Sequence, residues 1–592
     1  LGDFGNARCR SLSKEPRCAA NLILNSSKDD LEHLPSGASS FDKLGMRCLR
    51  LWQDHFLQPK SLSMPETPVF STAAVAAPHH LATETGQNIL AQGGNAVEAM
   101  VGMAATIAVV YPHMNGIGGD GFWLIRDRKG KIVAIEACGP AGALATIKRY
   151  RDKGYETIPP RGPDAAVTVA GAIGGWQVAM EQARDLGGKL PLRVLTEDAV
   201  RHARNGVAIS KSEARYRIKD GDGLYAAPGF ERTFKTADKA LVAGDIRTNA
   251  ALANTLEHIT RAGLDDYYRG DVGKELATDL DAIGTPVTRA DLQAYRARTT
   301  RPLSLQLPGV TVHNFPPPTQ GLASLIILGL LERLQIKRCD SFEHIHGLVE
   351  ASKRSLGTRD KVITDPARMI HDPADYLTDA WLTREAARID MKRAAEWPLK
   401  SGDGDTIWMG AIDKDGVSVS YIQSLYWEYG SGCVLEKTGV VWQNRGVSFS
   451  LNEGATNPLE PGRKPFHTLN PPMAVFDDGR IVSYGCMGGD GQPQFQAQVF
   501  SRYRMGMGVA DAVDAPRFLF GKTWGANSTS LKIENRFDHM VVARLAGAGH
   551  ALEEWGVPYD DQFGHAGLLV KHPKGHVEAT HDPRSDGDAK GL

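Results

Sequence analysis

The stretch KSGDGDTIWMGAIDKDGVSVSYIQS (400–424) contains the change of period on which the fold reading turns. Its first six residues are small and polar, as expected of an exposed loop. From Thr406 onward the segments TIWMGAI and VSVSYIQS flank the turn DKDG (413–416), the pattern of a two-stranded hairpin. MAVF–DDGR–IVSYG (473–485) and GLLV–KHPKG–HVEA (567–579) repeat it, and FWLIRD–RKG–KIVAIEA (122–137) anticipates it. Upstream the period is helical. Asn95 can cap a helix through AVEAMVGMAATIAVV (96–110), stopped by Pro112. Residues 185–400 read mostly as helix, for example ASLIILGLLERLQ (323–335) after the rigid turn FPPPTQG (315–321), and FEHIHGLVEASKRSL (342–356). Long helices and antiparallel hairpins in separate blocks predict an α+β layered fold rather than a βαβ alternation.

Composition narrows the partners. With 42% hydrophobic and 23% charged residues the chain can build a large core. Its 68 basic and 69 acidic side chains leave no electrostatic footprint for nucleic acid or an anionic membrane. The longest apolar run, Ala99 to Tyr111, is 13 residues, short of a spanning helix. None of the seven cysteines forms a CxxC pair, so neither a zinc site nor a disulfide framework is indicated. Residues 1–63 show no sustained period and no export signal; they are expected to be a disordered or artefactual leader, with Met64 as the start and the cytoplasm as location.

Several chemistries fall away on spacing. NGIGGDG (115–121) has a helix before it and a strand after it, the reverse of a dinucleotide-binding turn, and reads instead as a tight turn near a site. His79-His80, His344-x-His346 and His467 lack a metal-binding spacing, and no GxSxG elbow is present. Asp405-Thr406 at the start of a strand is unremarkable in isolation.

Its company is not. GAIDKDG (410–416), YGSGC (429–433), RKPFHTLNPP (463–472), YGCMGGDG (484–491) and THDPRSDG (580–587) follow in order, and HHLATETGQNILAQGGNAVEA, YPHMNGIGGDGFWLI, VAGAIGGW, FPPPTQGLASL and HGLVEASKRSLGTRDKVITDPA precede them. These blocks resemble the γ-glutamyltranspeptidase family of N-terminal-nucleophile (Ntn) hydrolases over nearly all of residues 70–592. The resemblance implies a four-layer αββα sandwich formed by a self-cleaved proenzyme. The cut would fall before the Thr seven residues ahead of Asp413, between Asp405 and Thr406, giving a large segment 64–405 and a small segment 406–592 within one folded domain.

That chemistry has a physical logic. A Thr hydroxyl needs a base within hydrogen-bond reach. Cleavage would free the Thr406 α-amine, whose reference pKa of about 7.7–8.0 lies near working pH. Before the cut the same nitrogen is an amide and cannot act as base. Gly488-Gly489 match the family's oxyanion-hole pair, where they would offer backbone N–H groups, although a simple turn after IVSYG is the other reading. Ser424 matches a hydroxyl that orients the nucleophile. No cofactor or metal is implied, because nucleophile and base are both protein groups.

Departures from the family fall in its substrate clamp. Glu136 stands where transpeptidases carry a carboxylate-binding Arg, and His467-Thr468 replace a Ser-Ser pair. Ser448 takes the place of the ammonium-pairing Asp, and Tyr426 that of a substrate-contacting Asn; Tyr426 and Trp427 would narrow the pocket. A zwitterionic γ-glutamyl group therefore loses both ends of its clamp. DTIWMGAID, QNRG, PFHTLNP and MGGDGQP look like the oxamate amidohydrolase branch, which implies release of ammonia from a small carboxylate amide. Asn444, Arg445, His467 and Thr468 are the candidates to hold its anionic end; a surface ion pair is the plain alternative for Arg445. The loop 452–465 occupies the lid position, and its Gly and Pro content suits a mobile cover as well as an ordinary surface loop.

The leading expectation is a self-processing amidohydrolase acting on an oxamate-like amide through a Thr acyl-enzyme, with water or an amine as acceptor. Its two segments come from one precursor, and higher assembly is left open. A γ-glutamyl hydrolase or transpeptidase with relocated charges and a β-lactam side-chain acylase share the chemistry; an unprocessed non-catalytic relic does not. On a denaturing gel, purified protein should give two fragments, the smaller running from Thr406 to Leu592 (187 residues). Thr406→Ala should remain one chain; a single uncut band from the unaltered protein would support the relic.

Overall fold

In the hairpin that begins at Asp405, alternate side chains enter different layers. The computed structural model describes residues 66–218, 223–236, 239–396, 405–521 and 530–592. The expected leader 1–63 and the segment 397–404 ahead of the expected cut lie outside the described residues. Strand Asp405–Ile412 pairs antiparallel with Ser418–Tyr426. On the first, Ile407, Met409 and Ala411 join a core shared with the helices on one side, while Trp408 and Ile412 face a second sheet on the other. Both faces are covered, so the strand is apolar at nearly every position.

Two seven-stranded antiparallel sheets form the middle of the molecule. The first runs in the order Asp588–Gly591, Ala74–Ala77, Asp405–Ile412, Ser418–Tyr426, Asp120–Arg126, Ile132–Ala137, Arg298–Thr300. In the second, Val69–Phe70, Val577–His581, Ala566–Lys571, Ile481–Cys486, Met473–Phe476, Val310–Asn314 and Leu303–Leu307 lie side by side. Helices His80–Ala91, Ala96–Val110 and Ala172–Asp185 cover the outer face of the first sheet. Gly321–Arg333, Phe342–Val362 and Gln492–Arg504 cover that of the second. The architecture is therefore the αββα sandwich. Each sheet mixes strands from before and after Thr406.

The capped helix is present as the sequence predicts. Asn95 and Glu98 form a capping box, and every residue of Ala96–Val110 is buried. Asp413 adds a tertiary link: its Oδ2 accepts from the Ala96 N–H at 3.0 Å, while Oδ1 accepts from Asp415 and Val417. One carboxylate thus closes the hairpin turn and docks it on a helix N-terminus, where negative charge is favoured. No described helix is long and apolar enough to cross a membrane.

Trp408 sets how closely the sheets approach beside Thr406. Gly485 and Gly567 are register partners in the second sheet. A Cβ on either would lie 2.2 Å from the Trp408 ring. The indole therefore fills the slot that the two glycines leave open, and its Nε1 donates to Ser420 Oγ at 2.9 Å. Gly567→Ala should overpack this slot and destabilise the protein by about 1–3 kcal/mol in chemical denaturation; an unchanged midpoint would contradict this account of the sheet spacing.

Candidate active site

Thr406 lies where the strand ladder is interrupted. Its strand is in register with Ser418–Tyr426 from Ile407 onward and again at Asp405–Tyr426, with a shift between them. Such a bulge re-aims a side chain. The opposing backbone is also forced: Tyr426 adopts φ 87°, a left-handed conformation costly for a bulky residue. Ser424 Oγ accepts from the Tyr426 N–H at 2.7 Å and so helps to hold that conformation. The glycine turn predicted near a site packs here: a Cβ on Gly119 would stand 2.1 Å from the Ser424 carbonyl oxygen.

From the second sheet, the turn after Ile481–Cys486 reaches toward Thr406. Gly488 and Gly489 have φ 124° and 49°, which glycine adopts without penalty. Among the described residues, neither of their N–H groups has a hydrogen-bond acceptor. Three residues on, Gln492 Nε2 donates to Thr406 Oγ1 at 3.1 Å, which brings the paired glycines to the same side of the molecule as the threonine. The Gly489 carbonyl is tied down by Gln320 Nε2 at 2.8 Å. Gln320 is in turn held by Arg359, which also bonds Asp490 at 2.7 Å. Thr406 is fully buried in the unbroken chain.

Beside this junction is a cluster of buried polar groups with unused bonding capacity. The Arg445 guanidinium lies 3.8 Å from the Tyr426 ring centroid, and its Nη1 donates to Thr468 Oγ1 at 3.2 Å. Its Nε and Nη2 have no partner, although the residue is only 1% exposed. No carboxylate among the described residues is within ion-pair distance of it. Burial lowers its pKa to about 10. Asp120, opposite Ser424 in the sheet, accepts through Oδ1 from Gly139, Gly171 and Gln443. Its Oδ2 has no hydrogen-bond donor and lies 3.6 Å from His467 Nε2. Burial pushes the Asp120 carboxyl up to about 7 against the opposing pull of Arg445. His467 is driven well below its ordinary value by burial, then by Arg445 and Lys464, and neither ring nitrogen has a hydrogen-bond partner. Gln443 Oε1 is likewise unused.

Other candidates are committed to loop structure. Asn444 Oδ1 accepts from the Trp427 N–H at 3.1 Å, and its Nδ2 donates to the Pro160 carbonyl at 2.9 Å. Ser448 donates to the Phe466 carbonyl at 3.1 Å. Glu136, which stands at the position of a carboxylate-binding Arg, is buried and compensated by Arg298 and Lys464. Lys464 belongs to the 452–465 loop, which is pinned at this end. Its N–H donates to Asp365, and the Arg463 carbonyl accepts from Ala141. Two groups of possible metal ligands occur among the described residues, Cys339–Asp340–His344 and His346–Glu350–His550. In the second, His346 bonds both His550 and the Asp390 carbonyl, and Glu350 is paired with Lys353. Sequence reasoning gave no role to Asp120, Gln443 or Gln492, although each lay inside a motif already singled out, NGIGGDG, QNRG and MGGDGQP respectively.

Comparisons with known proteins place the chain and its fold among characterised families. The family model described as gamma-glutamyltranspeptidase matches residues 82–592. The chain is 47% identical over 531 residues to an oxamate amidohydrolase proenzyme of Klebsiella pneumoniae, covering 89% of this chain and 100% of that one. It is 36% identical to a glutathione hydrolase-like proenzyme, YwrD, of Bacillus subtilis, with 89% and 100% covered. The crystal structure of a cephalosporin acylase from Bacillus halodurans superposes with TM-score 0.81 at 29% identity, covering 91% of this chain and 99% of that one.

The Asp120 carboxyl gives the site a pH signature. Its folded pKa lies above the unfolded value of about 3.9, so its contribution to stability is full below that value and is lost as pH rises through about 7. Asp120→Asn should flatten the fall in stability between pH 4 and 7 relative to the parent; an unaltered slope would contradict the buried, donor-poor environment of Oδ2.

Proposed function

Because the chain belongs to the γ-glutamyltranspeptidase family, we propose that this enzyme cuts itself between Asp405 and Thr406 and then hydrolyses the amide of a small anionic carboxylate of the oxamate type. The observation that carries the substrate class is Arg445. A guanidinium buried with two nitrogens unpaired is costly by several kcal/mol unless an anion completes it. A carboxylate taking Nε and Nη2 would receive the bidentate pair that arginine is shaped to give. Glu136, bound to Arg298 and Lys464, cannot take the part of the Arg that holds a γ-glutamyl carboxylate.

In this reading the bulge at Thr406 and the forced backbone of Tyr426 mark the bond that breaks. The Thr406 hydroxyl attacks the Asp405 carbonyl; as the ester forms the C–N bond breaks and the nitrogen leaves as the protonated α-amine, and water then hydrolyses the ester, which separates the two chains and restores the hydroxyl. The segments 64–405 and 406–592 then stay together through strands interleaved in both sheets. In the mature enzyme Thr406 Oγ attacks the substrate carbonyl and its proton passes to the α-amine. The oxyanion meets the N–H groups of Gly488 and Gly489, where one donor is typically worth about 2.7–4 kcal/mol. The C–N bond breaks, the α-ammonium supplies the proton with which ammonia leaves, and water hydrolyses the Thr ester. Ser424 acts by holding Tyr426, and Thr468 by holding Arg445. The buried Thr406 of the unbroken chain is the precursor state, whose nitrogen is still an amide.

Ammonia release from oxamate should greatly exceed turnover of γ-glutamyl-p-nitroanilide, and Arg445→Met should lower kcat/KM for oxamate by about 10²-fold or more while self-cleavage proceeds. Preference for the γ-glutamyl compound, or an Arg445→Met enzyme as active as the parent, would defeat this substrate assignment.

A further inference from the structure

The bond between Gln492 and Thr406 has a direction that is fixed from some distance away. The Thr468 carbonyl can only accept, and it accepts from Asn470 Nδ2 at 2.9 Å. That identifies the NH₂ end of the Asn470 amide. Consistently, Asn470 Oδ1 collects the Ser324 hydroxyl at 2.8 Å and Asn314 Nδ2 at 3.3 Å. The same Nδ2 also donates to Gln492 Oε1 at 3.1 Å. With its oxygen committed to Asn470, Gln492 must present Nε2 to Thr406, and it does so at 3.1 Å. Thr406, Asn470 and Gln492 are all fully buried, so no solvent competes for these bonds. A backbone carbonyl thereby dictates, through two side-chain amides, that Thr406 Oγ1 is an acceptor on this side.

We propose that Gln492 is a catalytic residue that donates to the attacking oxygen, and that Asn470 is a positioning residue that sets the orientation of the Gln492 amide. The inference rests on the reading of Thr406 as nucleophile. A hydroxyl oxygen that accepts from Gln492 must direct its own hydrogen elsewhere, which suits loss of that proton to the α-amine. As negative charge gathers on Oγ1 during proton loss, the neutral amide N–H becomes a charge-assisted donor. Gln492 transfers no proton. Its place at the start of helix Gln492–Arg504, directly after the turn bearing Gly488 and Gly489, couples the alignment of the nucleophile to that of the oxyanion donors.

The test uses the full chain and two readouts, the rate of self-cleavage and the kcat and KM for ammonia release from oxamate. Gln492→Glu keeps the shape but replaces the donor with a carboxylate. It should slow cleavage and lower kcat by about 10²-fold, with KM within about threefold of the parent. Gln492→Met, an apolar variant of similar length, covers the case in which the buried carboxylate prevents folding, and should show the same split. Asn470→Ala should lower kcat in the parent but add nothing in a Gln492→Met background, whereas a merely structural role would add its loss in full. Gln492→Met cleaving and turning over within twofold of the parent would overturn the proposal, as would additive losses for Asn470. A parent that cleaves but leaves oxamate intact defeats the substrate assignment alone, and the cleavage rates then decide the role of Gln492; an uncut parent defeats both.

Discussion

Trp408, two residues beyond Thr406, fills a slot between the sheets that exists only because Gly485 and Gly567 face each other without side chains. The spacing it sets puts Thr406, at the end of one sheet strand, within hydrogen-bond reach of Gln492, which follows a strand of the other. Close packing transmits small displacements, so an error in sheet spacing becomes an error in the alignment of the threonine with the glycine turn. The site is therefore a property of the sandwich rather than of a local motif. The same arrangement would hold the two parts of a chain cut before Thr406 together, since each sheet draws strands from both sides of that residue.

Around that junction the protein departs from the usual rule that buried polar atoms find partners. Arg445 Nε and Nη2, both ring nitrogens of His467, Asp120 Oδ2 and Gln443 Oε1 are unused in one neighbourhood. They come from three separate segments, around Asp120, Gln443–Arg445 and His467, which the folded chain brings together. Donors at Arg445 and acceptors at Asp120 and Gln443 suit a ligand that offers an anionic oxygen together with an N–H. The pinned end of the 452–465 loop and the compensated charge of Glu136 leave Arg445 as the cation of this cluster without a carboxylate partner.

The hairpins and the capped helix were legible in the sequence because turn and capping signals are local, and Asn95, Asp413 and the DKDG turn behave as their positions predict. Thr406, Ser424 and the glycine pair were singled out through ordered motifs spread over the chain, and Gln492 links Thr406 to the turn that carries the glycines. What remained hidden depends on contacts distant in sequence. The Glu136–Lys464 pair spans 328 residues and the Asn470–Thr406 connection needs an intermediary in Gln492. Asn444 was a candidate for the anionic end of the substrate and Ser448 stood at a family substrate position; in the structure their side chains bond Trp427, Pro160 and Phe466. The Gly and Pro content of loop 452–465 suited a mobile cover and an ordinary surface loop alike; Arg463 and Lys464 anchor its end to Thr364, Asp365 and Ala141.

In the proposed chemistry one residue, Thr406, supplies both the attacking oxygen and its base. The most direct measurement is mass spectrometry of the small fragment after rapid acid quenching during oxamate turnover. The account predicts a peptide whose first residue is Thr406, carrying one oxalyl group as an ester on that residue. A fragment that begins elsewhere, or an acyl group on any other side chain, would contradict it.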